Sequence, residues 1–189
     1  MPVTTIDDKT ALVVVDLQKG IVNLPSIHPI SAVIEHSCAL IDAFRQHGLP
    51  VVLVNVAGSA PGRTEQPRRQ ATLPEGFTDL LPELNRQAGD IVVTKQTWGA
   101  FPSTDLESQL IAKGVTQVVL VGVATGTGVE ATARQAYEHG FNVTLAVDAM
   151  TDTRPESHAY SLSHVFPRIG ETGTTQEIID LLAKRSSNK

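Results

Sequence analysis

A doubly wound, mostly parallel six-stranded sheet with helices on both faces is the fold this sequence predicts, and three observations predict it. Apolar runs such as Val118 to Val123, rich in β-branched residues, have the character of strands covered on both faces. These runs alternate with segments of helical period, the sequence form of βαβ units joined by right-handed crossovers. Glycines follow the helical segments at Gly48, Gly114 and Gly140, where a left-handed terminal residue is expected. At 189 residues the chain is expected to form one domain, 1–189, with a core that needs neither disulfide nor metal.

The elements follow in order. Residues 11 to 15 are a buried strand ending on Asp16, with Gln18 just beyond. From Ser31 to His47, Val33, Ile34, Cys38, Ile41 and Phe44 fall on one helical face. Pro50 to Val56 is the second strand, and a long loop rich in Gly, Pro and Arg follows it, a length usually kept for function or motion. A short helical segment is expected at Thr78 to Leu84, then a third strand, Asp90 to Thr94, which delivers Lys95 to its end. Thr104 and Glu107 have the spacing of a capping box opening the next helix. After the strand Val118 to Val123, Thr127 and Glu130 have the same spacing and predict a helix that closes before Gly140. Asn142 to Val147 is the next strand. Helices are expected at Pro155 to Val165 and from Thr174, capped by Glu177.

In such a sheet the ligand lies at the carboxyl ends of the strands, which collects Asp16, Lys95, the 57–76 loop and the Ala124 to Gly128 turn at one rim. A carboxylate and an ammonium there can do acid-base work, with a structural ion pair or a turn-forming aspartate as the bland alternative. Backbone N–H groups of the turn, at a helix N-terminus, favour negative charge. Trp98, the single tryptophan, suits core packing and ligand stacking about equally. Of Arg63, Arg68 and Arg69, at least one can clamp a substrate carboxylate, and Arg69 is taken as the candidate. Cys38, mid-helix among apolar residues, is expected to be an inert thiol.

Composition narrows the partners. A net charge of −5 with scattered arginines offers no basic stripe for nucleic acid, and no apolar run approaches membrane-spanning length. One cysteine and no signal-peptide pattern fit a cytoplasmic protein acting on a small molecule. The six histidines show neither His-x-His nor H-E-x-x-H spacing, and none lies in the loops before Lys95 at the rim, so no metal is expected. Gly126-Thr-Gly128-Val-Glu-Ala131 matches G-x-G-x-x-A, with Asp148 about 20 residues on, which keeps NAD binding as an alternative. Against it, the fingerprint belongs to the first βαβ unit, and here it follows the fourth strand.

VVVDLQ around Asp16, VTKQTWGAF around Lys95, GVATGTGVEATARQAYEHGF at the turn and FPRIGETGTT near the end resemble the isochorismatase-like, or cysteine hydrolase, family over nearly the whole chain. The resemblance implies a cofactor-independent hydrolase with Asp16, Lys95 and position 128 as its catalytic set. It also implies a cis peptide between Val123 and Ala124, and a homo-oligomer, dimer or tetramer. Gln18, Trp98, Ala124, Thr125 and Arg69 are the expected substrate contacts. In the family's amidases position 128 carries the nucleophilic cysteine; here it is Gly128, as in true isochorismatases, which cleave a vinyl ether. On that resemblance Asp16 is the general acid and Lys95 orients it. Thr125 or Thr127 as a replacement nucleophile lacks an identified base. A catalytically retired member serving as a binding or scaffold protein is the alternative.

Overall fold

The computed structural model describes residues 2–66 and 72–187. Its sheet has six strands, all pairs parallel, in the order β3-β2-β1-β4-β5-β6. The strands are β1 (Thr10–Val15), β2 (Val51–Val56), β3 (Ile91–Lys95), β4 (Gln117–Val123), β5 (Asn142–Thr151) and β6 (Glu171–Gly173). The helices are α1 (Lys19–Val22), α2 (Ile30–Gln46), α3 (Leu106–Ala112), α4 (Glu130–Glu138), α5 (Pro155–Tyr160), α6 (Phe166–Ile169) and α7 (Thr175–Ser187). Single π-helical turns at Thr125–Val129 and Ser161–Val165 lead into α4 and α6.

Strand alternation divides the core. Leu12, Val14, Leu53, Val119 and Val121 face α2 and α7 through Leu40, Phe44, Ile178 and Leu182. Ala11, Val13, Val15, Val54 and Leu120 face the other way, onto Leu106, Leu110, Ala133 and Phe166 of α3, α4 and α6. Burial on both faces explains why the strands read as continuous apolar runs.

Five strands and the main helices match the expected boundaries to within a few residues, and Gly48, Gly114 and Gly140 end their helices at positive φ. Thr174 and Glu177 form the expected capping box: Thr174 N donates to Glu177 Oε2 at 2.7 Å, and Glu177 N to Thr174 Oγ1 at 3.3 Å. The other two boxes do not form. After β4 the first turn is π-helical, with Val129 N donating to the Ala124 carbonyl, so Glu130 is carried toward α5's side and accepts from Ser161 Oγ at 2.6 Å. Glu107 instead meets His139 Nδ1 at 2.9 Å. The segment 78–84 is not a helix over its length; a 3₁₀ turn forms only at Pro82–Leu84. Leu80 bridges to Gln18 and the Thr78 carbonyl accepts from Asn55 Nδ2, which holds residues 78–80 out of a helix.

Gly122 sets the spacing at the rim. It sits at φ +114°, opposite Val15 in the ladder, and a Cβ there would collide with the Val15 carbonyl. Gly122→Ala is expected to destabilise the fold by about 1–3 kcal/mol from backbone conformation alone, with the collision adding to it. Urea unfolding midpoints check this, and an unchanged midpoint would contradict it.

Candidate active site

The sheet reverses its winding between β1 and β4, and ligands in open α/β sheets bind in the crevice at such a point. Asp16 stands there at the end of β1. Its backbone has φ +53°, a left-handed conformation that aspartate tolerates better than a β-branched residue, and is fixed by Asp16 N donating to the Val54 carbonyl at 2.9 Å. Lys95, from the outer strand β3, reaches past β2 to donate from Nζ to Asp16 Oδ2 at 2.8 Å and to the Thr97 carbonyl at 3.2 Å. The lysine side chain is 1% exposed and the aspartate 8%.

The pair is lopsided. Lys95 holds one carboxylate oxygen, while Asp16 Oδ1 is buried with no hydrogen-bond partner among the described residues. Burial pushes the Asp16 pKa up from 3.8 to about 6, against the pull of the Lys95 charge and its hydrogen bond. When the carboxyl is protonated, Oδ1 is the oxygen left to carry the proton, because Oδ2 accepts from Lys95.

Gly128 completes the arrangement from β4's side. A Cβ built on it would lie 3.2 Å from Asp16 Oδ2 and 3.1 Å from both Val15 Cγ1 and the Val123 carbonyl. The 128 position thus faces the carboxylate at close quarters. The Val123–Ala124 peptide just before the turn is cis, as the sequence resemblance implied. The carbonyl of half-buried Ala124 receives the amides of Thr127 and Val129.

The remaining sequence candidates separate. Gln18 is a correction: it is fully buried, its Nε2 donates to the Val56 and Phe77 carbonyls, and its Oε1 accepts from Val56 N. With its amide occupied by backbone, it ties β1 to β2 and the 77 loop rather than contacting substrate. Trp98 is 67% exposed, so the core-packing alternative fails and a surface beyond Lys95 remains. Arg63 is exposed, and Arg68 and Arg69 lie outside the described residues. Thr125 is fully buried with Oγ1 2.9 Å from His158 Nδ1, a partner the sequence reading did not supply. His28 and His158, rings 4.9 Å apart, both stand at the strand-end rim, contrary to the expectation that the early loops bring no histidine there. Among the described residues no group of three or more His, Cys, Asp or Glu could hold a metal ion.

Two findings oppose the dinucleotide alternative. Asp148 accepts the amide and hydroxyl of Thr175 at 2.8 and 2.9 Å, so it is not free for a ribose. The Gly126 amide, which would meet a pyrophosphate, already donates to Asp152 Oδ2 at 2.7 Å. A cavity of about 1080 Å³ at the end of β2, walled by Ile21, Val56, Leu73 and Phe77 among others, includes neither Asp16 nor Lys95. The cavity's own ionisable lining residues, Lys19 and Glu75, are separate from the buried Asp16–Lys95 pair.

A six-stranded parallel sheet with helices on both faces places a buried carboxylate–lysine pair opposite a helix-opening turn, and comparison with known proteins gives the class. Residues 10–177 match the isochorismatase domain, and the chain belongs to the isochorismatase family. It is 40% identical over 179 residues to the isochorismatase family protein YwoC of Bacillus subtilis (strain 168), covering 91% of this chain and 93% of that one. It is 28% identical to maleamate amidohydrolase of Pseudomonas putida, over 92% of this chain and 87% of that one. The solved structure of an isochorismatase family protein from Burkholderia thailandensis superposes with a TM-score of 0.91 at 36% identity, over 95% and 98% of the two chains. No helix of the described residues is long and apolar enough to cross a membrane.

Proposed function

We propose that this protein is a cofactor-independent hydrolase in which Asp16 transfers the proton and no residue forms a covalent intermediate, with a vinyl ether such as isochorismate as its substrate class. The observation that carries this reading is the bare Gly128, which faces the Asp16 carboxylate at the position that the sequence resemblance matches to the amidases' cysteine. The unpartnered Asp16 Oδ1 delivers its proton to the terminal carbon of the enol ether, leaving an oxygen-stabilised cation. Water adds to that cation and returns a proton to the Asp16 carboxylate. The resulting hemiketal breaks its C–O bond to release a ketone, pyruvate in the case of isochorismate, and the alcohol. Lys95 holds Oδ2 throughout and has a third proton to offer a substrate carboxylate. Trp98 and Ala124 are proposed to border the substrate, and Arg69, outside the described residues, to pair with its carboxylate; Thr125, fully buried against His158, is not.

A general acid must start protonated, so kcat/KM is expected to fall as pH rises through about 6. Thiol-alkylating reagents are expected to leave the activity intact. Cys38 donates to the Glu83 carbonyl within α2's packing, and burial with the nearby Asp42 and Glu83 charges raises its pKa, so little thiolate is available. Assay of the purified protein against isochorismate, simple vinyl ethers, amides and esters, with pyruvate release followed directly, tests the reading. Turnover of an amide with stoichiometric loss through Cys38 would overturn the chemistry, and inertness to the whole panel would favour the binding-protein alternative. The retained Asp16–Lys95 pair weighs against that alternative, because a scaffold has no use for a half-satisfied buried acid.

A further inference from the structure

The catalytic turn has a second polar neighbourhood that the proposed chemistry does not use. Gly128 faces Asp16, but Thr125 and Gly126 face the segment from Asp152 through α5. Thr125 Oγ1 pairs with His158 Nδ1 at 2.9 Å, its one side-chain hydrogen-bond partner among the described residues. Gly126 N donates to Asp152 Oδ2 at 2.7 Å, and Asp152 Oδ1 accepts from Arg154 N at 3.1 Å. His28 stands edge-on to His158, itself pinned by its backbone N and ring to Thr151 Oγ1 at 3.2 and 3.1 Å. Thr125 is fully buried, so no substrate carbon can approach its hydroxyl for attack.

We propose that His158 is a positioning residue for the active site: as a neutral ring it accepts the Thr125 hydroxyl at Nδ1 and, with Asp152 on the Gly126 amide, holds the 124–128 turn against Asp16, and its protonation releases that hold. The hold belongs to one tautomer of the ring. With the ring proton on Nε2, Nδ1 accepts a hydrogen bond from the Thr125 hydroxyl. An imidazolium donates at Nδ1 instead, which leaves the buried Thr125 hydroxyl with a proton and no described acceptor. The titratable neighbours act in opposite senses: His28, from the segment before α2, opposes the charge, and Asp152, at the end of β5, favours it, while the 125–129 turn contributes none. Burial and His28 prevail and hold His158 below its ordinary value, so the ring is neutral near pH 7. The consequence is regulatory. Activity gains an acid limb set by His158, distinct from the alkaline limb set by Asp16.

This inference rests on the reading of Asp16 and Gly128 as the reacting centre, and its test has an arm that needs no substrate. In the full chain labelled with ¹⁵N, the backbone amides of Thr125 to Gly128 are expected to shift with the same midpoint as the His158 ring. That shared titration should vanish in His158→Asn, whose side-chain oxygen can take the place of Nδ1 without titrating. In Thr125→Val the His158 midpoint should rise by about half a pH unit or more, because the hydrogen bond favouring the neutral ring is gone. With a turned-over substrate, His158→Ala should lower kcat about tenfold above the acid limb, where the wild-type ring is neutral, and His158→Asn should restore most of it without the acid limb. Turn amides that ignore the His158 midpoint, or a midpoint unmoved in Thr125→Val, would overturn the inference. If these titrations behave as stated and no substrate is hydrolysed, the proposed chemistry fails and the coupling stands.

Discussion

Asp16→Asn is expected to lower kcat by a factor of about 10²–10⁴, the usual contribution of a positioned general acid. Asparagine keeps the shape and can still accept from Lys95, but it has no proton to give. The variant also leaves the Lys95 ammonium, 1% exposed, beside a neutral group, and a buried charge deprived of its partner typically costs about 3–5 kcal/mol. Loss of activity therefore has to be separated from loss of fold, and two measurements do so. The first is stability against pH. Because the folded-state pKa of Asp16 is raised from 3.8 to about 6, its contribution favours folding fully below about pH 4 and is lost as pH rises through 6. Wild type should show that component and Asp16→Asn should not. The second is the complementary variant Lys95→Met. Without the ammonium, burial alone acts on Asp16, its pKa rises further, and the alkaline limb of kcat/KM should move to higher pH. The destabilisation is then softened, because the carboxyl can stay protonated. Full activity in Asp16→Asn would remove the acid from the mechanism, and an alkaline limb unmoved in Lys95→Met would show that another group sets it.

Which parts of this site were legible in the sequence follows a physical rule. Asp16, Lys95 and Gly128 could be collected because each lies at or just beyond a strand's carboxyl end, and topology alone brings strand ends together. Gln18 was misread for the opposite reason: its partners, Val56 and Phe77, lie 38 and 59 residues away, and no local pattern announces that its amide is filled by backbone. The Thr125–His158 pair was missed because β5 continues beyond Val147 to Thr151, carrying Asp152 and α5 behind the turn. A register shift in the β4–β5 pairing, between Leu120 and Gly122, accompanies that extension and breaks the apolar rhythm that the sequence reading used to end the strand. The capping box at Thr127 failed because one π-helical turn displaces Glu130 by enough to find Ser161 instead. Such turns recur at functional sites, and here the irregular turn is the one that faces Asp16. The sixth strand, expected in number but not in place, is only Glu171–Gly173, too short and too polar to carry a periodic signal.

Gly128→Cys is expected to fold and to place a thiol against Asp16 that alkylates at pH 7 at least about tenfold faster than Cys38, the effect of a thiol pKa about one unit lower. The backbone permits it, since Gly128 does not occupy the left-handed region that excludes side chains. Space is tight rather than absent. The new Cβ meets Val123 O, Val15 Cγ1 and Asp16 Oδ2 at 3.1–3.2 Å, so small shifts are needed, and a cost of about 1–3 kcal/mol is typical of such overpacking. The two thiols then differ in their surroundings. At position 128 the Lys95 charge and the amides at the start of the helix favour thiolate, with the Asp16 charge opposing and largely neutralised by Lys95. Around Cys38, burial and the Asp42 and Glu83 charges all favour the protonated thiol. Mass spectrometry of peptides after timed iodoacetamide treatment reads both rates in one sample, with Cys38→Ser in the same background as a control. If the variant does not fold, the crowding against the Val123 carbonyl, not a vacated nucleophile site, explains the glycine, and the central support for the vinyl-ether reading is gone. If it folds but the new thiol is no faster than Cys38, position 128 is closed to a reacting molecule, and the bond to be broken must lie elsewhere along the strand-end rim.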